Sequence, residues 1–298
     1  MLSKQRFLTV AVVGEPNAGK STLVNALVGQ KVSIVSSKAQ TTRCNLIGVF
    51  IEGDSQIVLT DTPGLFAPRE RLGRAMLHNA QAAIKASAGA LLVVDASHPR
   101  VEQNLRFLEE KKNVCGILAL NKIDRVERSK LLALAQSFNE RFPFQATFMV
   151  SALKNDGIKD VKRFLANKAP HEAWLYPENQ ITTLSLRLFA AELTRERVYK
   201  RFYQEIPYAC TVETIQWEDF SFKNETRVAQ DIYVQKSSQR PIILGQNGEK
   251  IHAIRESVQK ELSAVIERKV HLFLHVKVRE NWTEDKAFYD LWNLRYDA

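Results

Sequence analysis

A chain of 298 residues is long for one compact domain and suits two, while 45% hydrophobic and 25% charged residues exclude a disordered chain. No stretch approaches the roughly 18 apolar residues that a membrane span needs. The net charge of +9 is unevenly placed: residues 1–170 carry 24 Lys and Arg against 14 Asp and Glu, residues 171–298 carry 18 against 19. The basic balance therefore belongs to the first half, and a nucleic-acid reading of the second must rest on local features. Cys44, Cys115 and Cys210 lie far apart and form no metal pattern, which fits reduced core residues of a cytosolic protein. Lys4 and Arg6 before Phe7–Val13 mimic a signal peptide, but that run is too short and flows into a glycine-rich loop.

Phe7–Val13 is sized for one buried strand, and Lys20–Val28 places Leu23, Val24, Leu27 and Val28 on one helical face. Between them lies Gly14-Glu15-Pro16-Asn17-Ala18-Gly19-Lys20-Ser21-Thr22. Strand, G-x-x-x-x-G-K-S, helix is a phosphate cradle: glycines let successive N–H groups curl inward, and the helix N-terminus adds partial positive charge. Lys20 would neutralise the β- and γ-phosphates, and the Ser21 hydroxyl would hold Mg²⁺. Residues 31–45, with Ser33, Ser36, Ser37, Thr41 and Thr42 and few apolar anchors, read as a polar and mobile loop. Leu46–Ile51 and Gln56–Thr60 form a predicted hairpin about the turn Glu52–Ser55.

The second strand of that hairpin ends at Asp61-Thr62-Pro63-Gly64. Residues 65–74 read as a charged loop, followed by a helix to about Ala86. Gly89–Asp95 and Val114–Leu120 are apolar throughout, as buried parallel strands are. Helices are expected near 101–111, 129–141 and 158–167, with a strand near 144–150. Strands alternating with helices, with polar motifs at strand carboxyl ends, predict a doubly wound, mostly parallel α/β sheet over residues 1–168. Residues 169–180 lose periodicity and read as the linker. A second domain over 181–298 opens with a long helix from Ile181 to about Glu205. Strands near 209–217 and 227–236 follow, then the short run Pro241–Leu244, a helix to about Glu267 and a strand over Val270–Val278. The tail, 283–294, could form a short helix.

Asn121-Lys122-Ile123-Asp124 closes a predicted strand and selects the base. An aspartate carboxylate accepts from both N1–H and the 2-amino group of guanine, whereas adenine offers no such donor pair and would leave the carboxylate unmatched. Asn121 would bridge base and phosphate loop, the Lys122 stem would lie along the ring, and Ser151-Ala152-Leu153 would supply backbone donors near the guanine oxygen. Asp61 would hold Mg²⁺ through water and the Gly64 N–H would sense the γ-phosphate, with Thr42, or alternatively Thr41, completing the metal shell. Lys20, Thr42 and Gly64 are thus the residues expected to serve hydrolysis. Both loops would order with GTP and relax with GDP. These motifs resemble the translation-factor-like GTPases over residues 7–168. Many such proteins carry a glutamine after D-x-x-G, where this chain has Leu65, so slow intrinsic hydrolysis is expected. Arg43, Arg69, Arg71 and Arg74 are candidates to replace it, against the simpler reading as solvated charges. The resemblance also places Asn17 where some relatives bind K⁺.

Ile243-Leu-Gly245-Gln246-Asn247-Gly248-Glu-Lys250-Ile251 matches the KH signature, whose G-x-x-G turn lets the backbone approach single-stranded nucleic acid. The order helix, strand, strand, helix, helix, strand resembles a type II KH domain. From Arg240 to Arg279 there are eight Lys and Arg against four Glu, so Lys250, Lys260, Lys269, Lys277 and Arg279 are candidate phosphate contacts. Gln40-Thr41-Thr42-Arg43, Asp61–Leu65, the KH signature, Val270–Val278 and Trp282 together resemble the Era family of bacterial GTPases, in the TrmE-Era-EngA-like superfamily, over nearly the whole chain. The resemblance implies binding of the 3′ end of 16S ribosomal RNA, gated by GTP, and a role in assembly of the small (30S) ribosomal subunit. It implies a cytoplasmic monomer with peripheral association at the inner membrane. Ile181-Thr182-Thr183 departs from the family's I-T-D. Two other readings stand beside the switch: an RNA-binding scaffold with GTP as a structural ligand, and a GTPase whose partner is an enzyme or membrane.

Overall fold

The structure is a computed structural model that describes residues 4–38, 41–64, 70–109 and 115–298. Its first compact unit comprises residues 1–35, 42–183 and 289–298, and its second residues 36–41 and 184–288. The first holds β1 (Arg6–Val13), α1 (Lys20–Val28), β2 (Leu46–Glu52), β3 (Ser55–Asp61), α2 (Arg71–Ala86), β4 (Gly89–Asp95), α3 (Val101–Glu109), β5 (Cys115–Asn121), α4 (Arg128–Asn139), β6 (Ala146–Met149) and α5 (Ile158–Lys168). The sheet order is β2-β3-β1-β4-β5-β6, with β2 antiparallel to β3 and the other pairs parallel.

Apolar runs in β1, β4 and β5 arise because both sheet faces are covered. Val10, Val12, Leu91, Val93, Ile117 and Ala119 meet Leu23, Leu27, Val161 and Leu165 of α1 and α5. Their alternate neighbours Ala11, Val13, Leu92, Val94, Leu118 and Leu120 pack with Ala80, Ile84, Leu105, Leu131 and Phe138 of α2, α3 and α4. The period of two thus distributes one strand between two cores. Because β1 has β3 on one side and β4 on the other, the loop leaving its carboxyl end lies in the crevice where such sheets bind ligands.

Three expectations need correction in this unit. The described part of the polar loop in this unit is anchored: Val32, Ile34 and Cys44 are buried, as are Thr42 and Arg43. The helix expected after residue 74 begins at Arg71. The segment read as a linker runs along the sheet instead of leaving it. Gln56 receives the N–H groups of Leu175 and Tyr176, the Trp174 indole donates to the Asp54 carbonyl, and Val49 N–H bonds the Ile181 carbonyl. The unit boundary consequently falls after Thr183. Losing periodicity marked a chain without helix or strand, not a chain without contacts.

In the second unit α6 (Leu186–Arg201) starts five residues later than expected, where the Ser185 hydroxyl accepts the Leu188 N–H. That is an ordinary serine N-cap, and it overrides the weaker apolar signal upstream. The short α7 (Ile206–Ala209) leads to β7 (Cys210–Phe220) and β8 (Glu225–Val234). Pro241–Leu244 proves helical, within α8 (Gln239–Leu244), followed by α9 (Glu249–Ile266) and β9 (Lys269–Val278); α10 (Lys286–Leu291) begins in this unit and ends in the first. β8 pairs antiparallel with β7 and parallel with β9. Phe189, Leu193 and Val198 of α6 and Ile254, Val258 and Leu262 of α9 bury one sheet face against Val212, Val228, Ile232, Val270, Leu272 and Val276. The first-half loop segment 36–41 also belongs here: Lys38 Nζ reaches the Tyr199 carbonyl, and buried Arg195, paired with Glu192, donates to the Thr41 carbonyl at 2.5 Å.

Candidate functional site

Tight packing fixes the shape of the phosphate loop. A Cβ on Gly14 would lie 2.2 Å from the Val93 carbonyl oxygen, and one on Gly19, at φ +94°, 2.3 Å from Asn121 Nδ2. Only glycine fits at either place. Lys20 is buried and its Nζ donates to the carbonyls of Gly14 (3.1 Å) and Glu15 (2.9 Å). Burial pulls its pKa down to about 8, against the opposing pull of Asp61 and Glu15. Glu15, Pro16 and Thr22 are half-buried around this cradle, Ala18 is buried, and Asn17 is exposed at its apex with a left-handed φ of 64°.

The three expected metal residues converge. Ser21 Oγ donates to Asp61 Oδ2 at 2.6 Å and lies 3.0 Å from Thr42 Oγ1. The alternative, Thr41, turns its hydroxyl to the Lys38 carbonyl. Asp61 is fully buried, and burial raises its pKa although Ser21, Lys20 and Ser33 oppose the shift. Its Oδ1 has no hydrogen-bond partner among the described residues. A buried carboxylate oxygen without a donor, beside two hydroxyls, fits a hard divalent cation such as Mg²⁺. The Thr62 hydroxyl ties this loop to the Val12 carbonyl, Pro63 is buried, and a Cβ on Gly64 would meet Pro16 Cα at 2.7 Å. Leu65 and Arg69 lie outside the described residues. Arg43 is buried and Arg71 half-buried, so neither is a solvated charge, whereas Arg74 is exposed.

Base-reading residues come from two further strand ends. Asn121 Nδ2 donates to the Ala18 carbonyl and its Oδ1 accepts the Ala152 N–H at 3.0 Å, tying the phosphate loop to the Ser151–Leu153 loop. The Ala152 N–H would therefore have to be shared with Asn121 to reach a guanine oxygen. Ser151 N–H goes to the Asp156 carbonyl, and Leu153 is exposed. Asp124 presents an exposed carboxylate; the Ser151 hydroxyl donates to it at 2.6 Å and holds its pKa below the usual range. Sequence reasoning missed that role of Ser151, and also Asp95. Lys122 Nζ binds Asp95 Oδ2 at 2.6 Å and the Asn17 carbonyl at 2.7 Å, which fixes the lysine stem. Burial works to raise the Asp95 pKa, but the bonds from Lys122 and Ser97 outweigh it and leave it lowered. An acidic residue at the carboxyl end of β4, beside the N-K-x-D strand, was the available signal.

In the second unit the Gly245–Gly248 turn joins α8 to α9, with positive φ at Gly245, Asn247 and Gly248. A groove of about 460 Å³ runs between that turn, with α9, and the edge strand β9; Asn247, Gly248, Ile251, His252, Arg255, Phe273 and His275 line it. Gln246 is exposed in the turn and Lys250 is half-buried, its Nζ 5.8 Å from the Phe202 ring centre. Other candidates lie elsewhere. Ile243 is fully buried in the core, where the helical turn of α8 points it. Lys277 pairs with buried Asp231 at 2.6 Å, Arg279 with Asp285, and Lys269 with Glu225, while Lys260 is exposed on α9. Lys277 and Arg279 thus each hold a carboxylate partner, and neither lines the groove. His252, Arg255, Phe273 and His275 were missed as groove residues. They follow from helical spacing after Gly248 and from the outward register of β9.

The family model described as "50S ribosome-binding GTPase" matches residues 9–122, and that described as "KH domain" matches residues 205–283. GTPase Era of Brucella suis biovar 1 is 50% identical over 282 residues, covering 94% of this chain and 90% of that protein. GTPase Era of Bradyrhizobium diazoefficiens is 47% identical over 282 residues, covering 94% and 91%. A crystal structure of Era in complex with MgGDPNP and nucleotides 1506–1542 of 16S ribosomal RNA matches with a TM-score of 0.90 at 32% identity, covering 97% of this chain and 98% of that one. A variant of Aquifex aeolicus Era bound to GDP and AlF4⁻ matches with a TM-score of 0.90 at 32% identity, covering 97% and 99%.

Proposed function

The chain belongs to the Era family of GTPases, and on that premise we propose that it is a GTP-gated switch that holds the 3′ end of 16S ribosomal RNA in its KH groove and assists small-subunit assembly. The observation that carries the RNA reading is the groove beside Gly245–Gly248, whose lining includes an exposed aromatic, two histidines and an arginine beside one carboxylate, Glu249. Aromatic and guanidinium faces stack bases, and a close backbone turn lets phosphates approach. A relative solved with 16S nucleotides supports the choice of RNA.

Each residue of the nucleotide site has a part. Asp124, oriented by Ser151, accepts the two guanine donors; Asn121 and Lys122 hold the loops that frame the ring. Gly14 to Thr22 wrap the phosphates with backbone N–H groups, and Lys20 exchanges its carbonyl partners for phosphate oxygens. Ser21, Thr42 and Asp61 would hold Mg²⁺, which supplies charge neutralisation at the β- and γ-phosphates. Thr42 and Gly64 report the γ-phosphate through their own loops. With Leu65 in place of a water-orienting side chain, hydrolysis is slow and acts as a timer. K⁺ near Asn17 would add positive charge there, and equal turnover in KCl and NaCl would remove that element.

Anisotropy of a labelled 16S 3′-end oligonucleotide, titrated with the full chain under GTP analogue, GDP or no nucleotide, tests the switch. Tighter binding with the analogue is expected. An affinity indifferent to nucleotide would support the scaffold reading, and no RNA binding in any state would overturn the RNA assignment itself.

A further inference from the structure

Two arginines bracket the loops assigned to γ-phosphate sensing, and both rest on aromatic rings from the far end of the chain. Arg43 follows Thr42 directly and is 4% exposed; its guanidinium carbon lies 5.3 Å from the ring centre of Trp292, itself 3% exposed. Arg71 opens α2 and lies 4.6 Å from the Tyr296 ring centre. Tyr296 packs edge-on against fully buried Tyr289 at 5.0 Å. The tail that presents these rings is firmly built: Leu294 N–H bonds the Tyr289 carbonyl at 2.8 Å, Asn293 takes a left-handed φ of 50°, and Leu294 is buried. All these residues belong to the first unit.

We propose that Trp292 and Tyr296 are positioning residues for GTP binding: they brace Arg43 and Arg71, and through Arg43 hold the Thr42 hydroxyl beside Ser21 and Asp61. A planar guanidinium keeps a defined orientation on a desolvated ring face, where the attraction is stronger than at an exposed site. Thr42 is one residue away, so its 3.0 Å approach to Ser21 depends on where Arg43 is held. GDP lacks the γ-phosphate that the Thr42 loop reports, so the brace should favour GTP over GDP. Tyr296 acts in the same direction at the start of α2. This inference rests on the assignment of Thr42 to the GTP-bound state.

The test uses the full chain with Mg²⁺, titrated with a non-hydrolysable GTP analogue and with GDP. Trp292→Ala should weaken the analogue about tenfold, the scale of a desolvated cation–ring contact, and GDP less than twofold. Trp292→Phe, which keeps a ring face, should restore analogue affinity to within about threefold. Tyr296→Ala should show the same selectivity at smaller size. The intrinsic fluorescence change on adding analogue should be present in the wild type and lost in Trp292→Phe. Equal weakening of both nucleotides, no weakening, or a Phe variant as poor as the Ala variant would overturn the proposal. If Trp292→Ala fails to fold, the Tyr296→Ala selectivity and the fluorescence comparison decide. Thr42→Ala separates the premise: if it does not discriminate analogue from GDP, the assignment of Thr42 fails rather than the brace.

Discussion

Raising the pH from 7 to 9 should weaken guanine nucleotide binding through Lys20. Its ammonium is buried against carbonyl oxygens, and burial brings its pKa to about 8 from an ordinary 10.5. A bound phosphate restores the missing counter-charge, so the bound state retains the proton throughout this range. Affinity then follows the charged fraction of the ligand-free lysine. That fraction falls about tenfold between pH 7 and pH 9, a loss of ~1.4 kcal/mol. Calorimetric titration with GDP in EDTA, which keeps metal out of the comparison, should show this decade. Repeated in buffers of different ionisation enthalpy, it should also show uptake of about half a proton at pH 8. Lys20→Arg stays charged throughout and should keep only the smaller fall due to the guanine N1–H, which is common to both proteins and subtracts. A flat wild-type profile, or an equal fall in the arginine variant, would refute the reasoning. Stability runs the other way. Because the folded pKa is depressed, the unfolded chain binds more protons between pH 8 and 10.5, and the ligand-free fold gains Lys20's share of stability as pH rises through that window.

Asp124→Asn exchanges one acceptor for a donor against the guanine edge and should weaken GTP about 100-fold or more, two charge-assisted bonds being at stake; competition assays should show xanthine nucleotides gaining ground. Arg195→Met strands the buried Glu192 carboxylate and should cost about 3–5 kcal/mol in urea unfolding, part of it recovered by adding Glu192→Leu. Gly248→Asp forces an L-residue to φ +79° and puts a carboxylate on the groove. Oligonucleotide affinity should drop about tenfold or more by like-charge repulsion, with GTP affinity unchanged.

The nucleotide site was legible because its chemistry is backbone chemistry at contiguous positions. Gly14–Thr22, Asp61–Gly64 and Asn121–Asp124 each end a strand whose apolar run is unmistakable. Parallel pairing then leaves their relative positions little freedom. The KH turn was legible for the same reason. Side chains were harder. Ile243 carries the signature but faces the core, and Lys277, opposite Tyr233, looks available until its diagonal ion pair with Asp231 on the neighbouring strand is placed. Register across a sheet decides such cases, and a one-dimensional charge count cannot see register.

The deeper gap concerns segments without periodicity. Residues 31–45 read as mobile because mobility was inferred from polarity, yet Val32, Ile34 and Cys44 are buried, and Asn25 Oδ1 accepts the N–H groups of Val32 and Ser33. The tail, 283–294, reads as a segment that could form a short helix, and its aromatics after Trp282 carry no assignment. In the structure Trp292 and Tyr296 face Arg43 and Arg71, which the sequence offers either as candidates to serve hydrolysis or as solvated charges. Both errors have one origin. An arginine beside a polar loop is solvated unless a ring or carboxylate from elsewhere covers it, and such cover arrives over long sequence separation. Local motifs therefore identify what is bound. The residues that set how strongly the bound state is preferred lie where local patterns are silent, and in this chain the tail rings are the place to look for them.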